Sequence, residues 1–222
     1  MTKRTLIVFD LDGTIIDSRQ DLAESTNEML ASYGAGPLAT EAVTAMVGDG
    51  AKMLVARALR AAAQDADLAT ALERFREIYD RRLLVHTRPY DGIPAVLGAA
   101  AARAALAVLT NKPEAPARRL LDAFGLTPCF AHVMGGDSGF PRKPDPAGLL
   151  HVILDVGTTP RRTLVIGDSN VDAETARSAR ASFCAAEYGF GRVDRTPVVA
   201  ASPADLHRVI DAFVDGLESR DS

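Results

Sequence analysis

The sequence predicts an α/β fold: a doubly wound parallel sheet with an all-helical segment inserted after its first strand. Three observations predict it. Four short apolar runs each stop at glycine or at a polar residue. Helix-like segments separate the later runs. Residues 18–86 repeat their apolar positions at helical spacing and contain no strand-like run.

The first run is residues 5–9, TLIVF, ending at Asp10. Its residues are β-branched, aromatic or leucine, which suits a strand buried on both faces. Residues 106–109 (LAVL) precede Thr110, residues 131–134 (AHVM) precede Gly135-Gly136, and residues 163–166 (TLVI) precede Gly167-Asp168. A helix is predicted over 114–124, closed by Gly125 as a C′ glycine. Another covers 146–154, with Asp145 as N-cap and Pro146 in the first helical position. A third covers 171–180. Ser202-Pro203-Ala204-Asp205 reads as a cap that opens a last helix through residue 217.

Within the insertion, Ser18-Arg19-Gln20-Asp21 has the form of a capping box. Leu22, Thr26, Met29, Leu30 and Tyr33 then follow at helical spacing. Thr40 is the predicted cap of a second helix, expected to end at Gly48-Asp49-Gly50. Residues 51–63 and 68–84 form two more. The expected organisation is a core of residues 1–17 and 89–222 with a helical domain over 18–88.

Composition narrows the function. The chain has 222 residues, 47% of them apolar, enough for a packed core. It carries 25 basic and 29 acidic residues, a net charge of −4. That balance disfavours a nucleic-acid partner, which needs a basic surface. The apolar stretch before Asp10 is too short for a signal peptide, and the alanine-rich region 93–109 is interrupted by Arg103, so no membrane span is expected. Cys129 and Cys184 form no CxxC pair and read as reduced thiols of a cytoplasmic protein. The four histidines show no metal-ligand spacing.

Asp10, Thr110 and Asp168 all stand at predicted strand ends, where open α/β sheets bind ligands. Phe9-Asp10-Leu11-Asp12-Gly13-Thr14 places two carboxylates two residues apart, and Gly13 allows a sharp turn after them. Gly167-Asp168-Ser169-Asn170-Val171-Asp172 adds two more acids across a helix start. Four acids converging at one sheet edge suit Mg²⁺, which takes few protein oxygens, several waters and a substrate phosphate. Thr110 and Asn111 offer a hydroxyl and an amide near a helix start, where a phosphate binds well. Lys143, just before a proline-fixed helix, supplies a point charge for phosphate.

FDLDGTIID, LTNK, GFPRKPDP and GDSNVD occur in the order and spacing of the four motifs of the haloacid dehalogenase superfamily. Nearly the whole chain resembles that superfamily. The insertion is similar to its helical C1-type cap, and the core to its Rossmann-like sheet. VGDG, TNKP, VMGGD and YGFG resemble phosphoglycolate phosphatases in particular. The resemblance implies Asp10 as nucleophile and Asp12 as general acid and base. It implies Thr110 and Lys143 as phosphate binders. It implies Mg²⁺ held by the Asp10 carboxylate, the Asp12 backbone carbonyl and Asp168, with Asp172 nearby. Asp12 favours phosphate esters, because a halide leaving group needs no proton. One departure is Arg180, where relatives usually carry glycine.

The expected substrate is a small phosphorylated metabolite, 2-phosphoglycolate first, handled by a monomer or homodimer. Sugar-phosphate phosphatase, pyrophosphatase and phosphomutase are the enzyme alternatives, and a non-catalytic phospholigand-binding protein is the other class. The cap is expected to choose the leaving group. Gly48 and Gly50 should touch the core site, and Lys52 and Arg57 are the candidates to meet a substrate carboxylate.

Overall fold

The computed structural model describes residues 4–194, 196 and 198–221. The chain runs β1 (Leu6–Phe9), β2 (Ile16–Asp17), α1 (Arg19–Ala31), α2 (Thr40–Thr44), α3 (Ala51–Ala61), α4 (Leu68–Arg82) and β3 (Arg88–Pro89). It continues with α5 (Ile93–Ala101), β4 (Ala105–Leu109), α6 (Glu114–Ala123), β5 (His132–Met134), α7 (Ala147–Val156) and β6 (Thr163–Gly167). It ends with α8 (Asn170–Ala179), β7 (Ser182–Ala186), β8 (Val199–Ala200) and α9 (Asp205–Asp221).

Among the described residues, six strands form one parallel sheet in the order β5-β4-β1-β6-β7-β8. The all-apolar β1 lies between β4 and β6, with Phe9 level with Val108 and Ile166. Alternate residues serve opposite faces. Ile7 and Phe9 share a cluster with Ile93 and Leu97 of α5 and Ile210 of α9. Leu6 and Val8 pack with Leu149 and Val152 of α7 and Ala176 of α8. A fully buried side chain of this kind contributes about 1.5–3 kcal/mol. The chain leaves β1 toward β4 and β5, then returns across to β6. The carboxyl ends of β1 and β6 therefore flank the point where the winding reverses, which is where such sheets bind ligands.

β7 and β8 enlarge the four-strand expectation to six. Ser182–Ala186 reads SFCAA and lacks the β-branched run that marks the other strands. Tertiary pairing with β6 makes it a strand. The expected capping box at Ser18 is also corrected. Ser18 precedes α1 but its side chain caps no helix N–H. Its hydroxyl donates to Asp12 (2.5 Å), and Asp21 instead accepts from the backbone N–H groups of His86 and Thr87. Thr40 is likewise the first helical residue rather than the cap, and α2 ends at Thr44, short of Gly48. Pro146, not Asp145, occupies the N-cap position of α7, although the Asp145 carboxylate still accepts from the N–H of Ala147 (2.8 Å).

Helices α1–α4 pack against one another, and residues of α1, α3 and α4 line a cavity shared with the carboxyl ends of β1, β4 and β6. A short antiparallel pair, β2 with β3, joins the two chain crossings, with Ile16 opposite Pro89 and Asp17 opposite Arg88. Among the described residues, no helix is long and apolar enough to cross a membrane. Both cysteines are free thiols.

Candidate active site

Asp10 follows directly from β1, where its N–H donates to the carbonyl of Ile166 in β6 (2.9 Å). Asp168 follows β6. One carboxylate oxygen from each of Asp10, Asp168 and Asp172 can be chosen so that all three lie within 4.8 Å of one another. Lys143 Nζ bridges two of these acids, donating to Asp10 Oδ1 (2.7 Å) and Asp172 Oδ1 (2.5 Å). Asn111 holds the lysine in place: its side-chain oxygen accepts from the Lys143 N–H (2.9 Å) and its amide donates to the Lys143 carbonyl (3.0 Å).

The backbone turns sharply so that these groups meet. Gly13 adopts φ +87°, and a Cβ there would stand 2.2 Å from Asp168 Oδ2. At Gly189 a Cβ would come within 2.4 Å of the Asp168 side chain. Both positions therefore need glycine, one for conformation and both for space. Asp168 Oδ2 accepts from the N–H groups of Phe190 (2.7 Å) and Gly191 (3.0 Å), which belong to the YGFG segment.

Charge is finely balanced here. Burial, then the nearby Asp172 and Asp168 carboxylates, push Asp10 up to about 7 against the opposing pull of Lys143. Burial, then Asp172, push Asp168 up to about 6. Burial alone would lower Lys143, but Asp10 and Asp172 overcome it and hold the ammonium firmly protonated. The cluster is thus short of positive charge. Asp172 spends Oδ1 on Lys143 and Oδ2 on the N–H and hydroxyl of Ser169. It completes a capping box for α8 while facing the acids, so capping and clustering are both served. Asp10 Oδ2 and Asp168 Oδ1 have no protein donor among the described residues. Two free carboxylate oxygens beside a buried cation-poor cluster fit Mg²⁺, a hard cation that takes few protein ligands.

Asp12 stands apart from that cluster. Lys112 Nζ donates to both of its oxygens (3.1 Å each) and to the Tyr79 hydroxyl of α4 (2.7 Å). Burial pushes the Tyr79 phenol up to about 12, with Lys112 partly opposing, so the phenol keeps its proton. Thr110 is buried at the end of β4, where its hydroxyl accepts from the Lys112 N–H (3.2 Å).

A cavity of about 500 Å³ lies between sheet and helical insertion. Asp10, Asp12, Thr110, Asn111, Lys112 and Asp168 form its floor. Leu22, Val47, Leu54 and Phe75 form an apolar roof. These acids, a lysine-bridged carboxylate and a cavity above them resemble one known arrangement, and comparison with known proteins agrees. A family model for haloacid dehalogenase-like hydrolases matches residues 7–186.

The chain belongs to the haloacid dehalogenase-like hydrolases. The hydrolase is 42% identical over 194 residues to a phosphoglycolate phosphatase of Rhodospirillum rubrum, covering 84% of this chain and 80% of that one. It is 37% identical over 220 residues to a phosphoglycolate phosphatase of Agrobacterium fabrum, covering 96% and 92%. The crystal structure of a predicted phosphoglycolate phosphatase from Haemophilus somnus superposes with a TM-score of 0.88 at 30% identity, covering 94% and 99%.

The insertion's candidates divide. Gly48 and Gly50 line the hydrolase cavity, and the Gly48 carbonyl accepts from the Asn111 amide (2.9 Å). Asn111 therefore spends its side chain on Lys143 and on this loop. Lys52 and Arg57 do not line the cavity. Lys52 is exposed. Arg57 is ion-paired with Asp49 and donates to the Met46 carbonyl (2.8 Å), so it holds the loop and neutralises its acid. Lys112, Tyr79 and Ser18 did not emerge as site residues from sequence. Lys112 stood inside LTNK, but spacing alone gave it no partner; Tyr79 lay within a predicted helix and Ser18 read as a helix cap.

Proposed function

We propose that this hydrolase is a Mg²⁺-dependent phosphatase that cleaves 2-phosphoglycolate through an aspartyl-phosphate intermediate. The observation that carries the reading is the cavity floor: a carboxylate with one free oxygen, Asp10, gripped by Lys143 and next to Asp168. The similarity to phosphoglycolate phosphatases supports the substrate.

Asp10 Oδ2 attacks phosphorus opposite the ester oxygen. The P–O bond to the leaving alcohol breaks, and Asp12 gives that oxygen its proton. Asp12 then takes a proton from water, whose oxygen attacks phosphorus and releases Asp10 and inorganic phosphate. Lys112 and Ser18 fix the orientation of Asp12 through both steps. Lys143 holds Asp10 and offers its ammonium to the phosphoryl oxygens, as Thr110 offers its hydroxyl. Asp10, the Asp12 carbonyl and Asp168 would hold Mg²⁺, with Asp172 behind them. When bound, the ion offsets the negative charge that otherwise keeps a carboxylate from an anionic phosphate. The insertion excludes water from the cavity during attack.

Replacing Asp10 by Asn should abolish phosphate release while leaving the thermal unfolding transition in place. Near-native kcat in that variant would overturn the role of Asp10. One observation favours a second substrate reading: about 500 Å³ under an apolar roof exceeds what a glycolate leaving group fills. A bulkier phosphate ester, such as a sugar phosphate, fits that space. A panel of phosphate esters ranked by kcat/KM, with Mg²⁺ and with EDTA, separates the two and tests the metal requirement.

A further inference from the structure

We propose that Arg76 binds an anionic group on the leaving alcohol, so that the cavity selects phosphate esters carrying a carboxylate. The proposal rests on the phosphatase reading above and assigns its selectivity to a residue of α4. Among the described residues, three cations line the cavity: Arg76, Lys112 and Arg119. Lys112 is committed to Asp12 and Tyr79. Arg119, on α6, is ion-paired with Asp80 of α4. The Arg76 guanidinium makes no hydrogen bond or ion pair with another described residue. Among the described residues it is the remaining cation on the wall of this space, at its solvent-exposed edge.

Its position suits the leaving group. Phe75, Arg76, Tyr79, Asp80 and Leu83 line the cavity at the spacing of one helix face. Tyr79 touches Lys112, and Lys112 grips Asp12, so this face of α4 stands on the side where the departing oxygen takes its proton. Arg76 lies one turn before Tyr79 and Asp80 along that face. A group attached to the ester oxygen and reaching toward α4 meets it there. Asp80, the acid of α4 that lines the cavity, would repel a carboxylate, but Arg119 neutralises it. A guanidinium with its donors free binds a carboxylate with two parallel hydrogen bonds. The role first assigned to Lys52 and Arg57 thereby falls to a residue that faces the cavity.

Three esters of nearly equal shape test this: 2-phosphoglycolate, 2-hydroxyethyl phosphate and phosphoethanolamine, with anionic, neutral and cationic tails. The wild-type enzyme should rank them in that order by kcat/KM. In Arg76→Gln, KM for phosphoglycolate should rise about tenfold to a hundredfold, as expected for a lost charge-assisted hydrogen bond. The neutral ester should change less than about twofold on the same reasoning. Arg76→Lys should restore part of the preference, and the unfolding midpoint should be unchanged in both variants. A wild-type preference for phosphoglycolate that survives in Arg76→Gln overturns the role of Arg76 and leaves the phosphatase reading intact. Equal use of all three esters by the wild-type enzyme overturns the selectivity and the phosphoglycolate assignment together. No turnover of any ester in a broad panel sinks the phosphatase reading and this one with it.

Discussion

Arg180 stands at φ +59°, at the end of α8, in the left-handed conformation that glycine takes at no steric cost. The family resemblance led to an expectation of glycine at this position, and arginine takes the same left-handed conformation. A side chain there pays about 1 kcal/mol relative to glycine. Arg180→Gly should therefore raise the unfolding midpoint by about 2–4 °C, since that is what 1 kcal/mol shifts in a chain of this size. A melting curve checks it; an unchanged or lowered midpoint would show that the arginine side chain compensates. Asn111 teaches a related lesson. Read from sequence it is a phosphate ligand, yet its amide is spent on the Lys143 backbone and on Gly48. A polar residue at a strand end can position the residues that act.

At the scale of elements, Asp21 ties α1 to the returning chain. It is fully buried, and it accepts from the N–H of His86 (2.9 Å) and from the N–H (2.8 Å) and hydroxyl (2.7 Å) of Thr87. The β2–β3 pair adjoins this knot. Together they fasten both crossings between sheet and helical insertion. Removing the carboxylate leaves buried donors unpaired, which costs about 1–3 kcal/mol for each orphaned group. Asp21→Ala should lower the urea midpoint by an amount equivalent to about 2–4 kcal/mol. Asp21→Asn, which keeps an acceptor, should lose less. Equal losses in the two variants would mean that packing, not hydrogen bonding, is what matters at this position.

Across the whole molecule, one apolar cluster runs from the sheet into the insertion: Phe9 and Ile166 belong to the same packed set as Leu54 and Phe75. The acids sit where that packing opens. Asp10 and Asp168 hold protons up to about 7 and about 6, whereas an unfolded chain loses them near about 3.9. The folded, metal-free protein therefore binds more protons than the unfolded chain between those values. This contribution to stability is complete below pH ~4 and is lost as pH rises to about 7. A divalent cation favours the ionised carboxylates and removes the penalty. The gain in unfolding midpoint on adding Mg²⁺ should be larger at about pH 7.5 than at about pH 5. A gain that does not vary with pH would contradict a metal held by these acids.

The sequence by itself determined the fold class, because continuous apolar runs have no stable home except between two helical layers. It also determined that Asp10 and Asp168 meet, because they follow strands that must end at the same edge of a parallel sheet. β7 stayed hidden, since SFCAA becomes a strand only by pairing with β6. The partners of Asp12, Lys112 and Ser18, stayed hidden too, as did Tyr79 behind Lys112. The three are far apart along the chain, and no periodicity relates them. Only the packing of α4 against α1 and α3 decided which of its cations faces the cavity. Charge on a helix is read from sequence as a face; which face meets the site depends on the angle at which two packed layers come together.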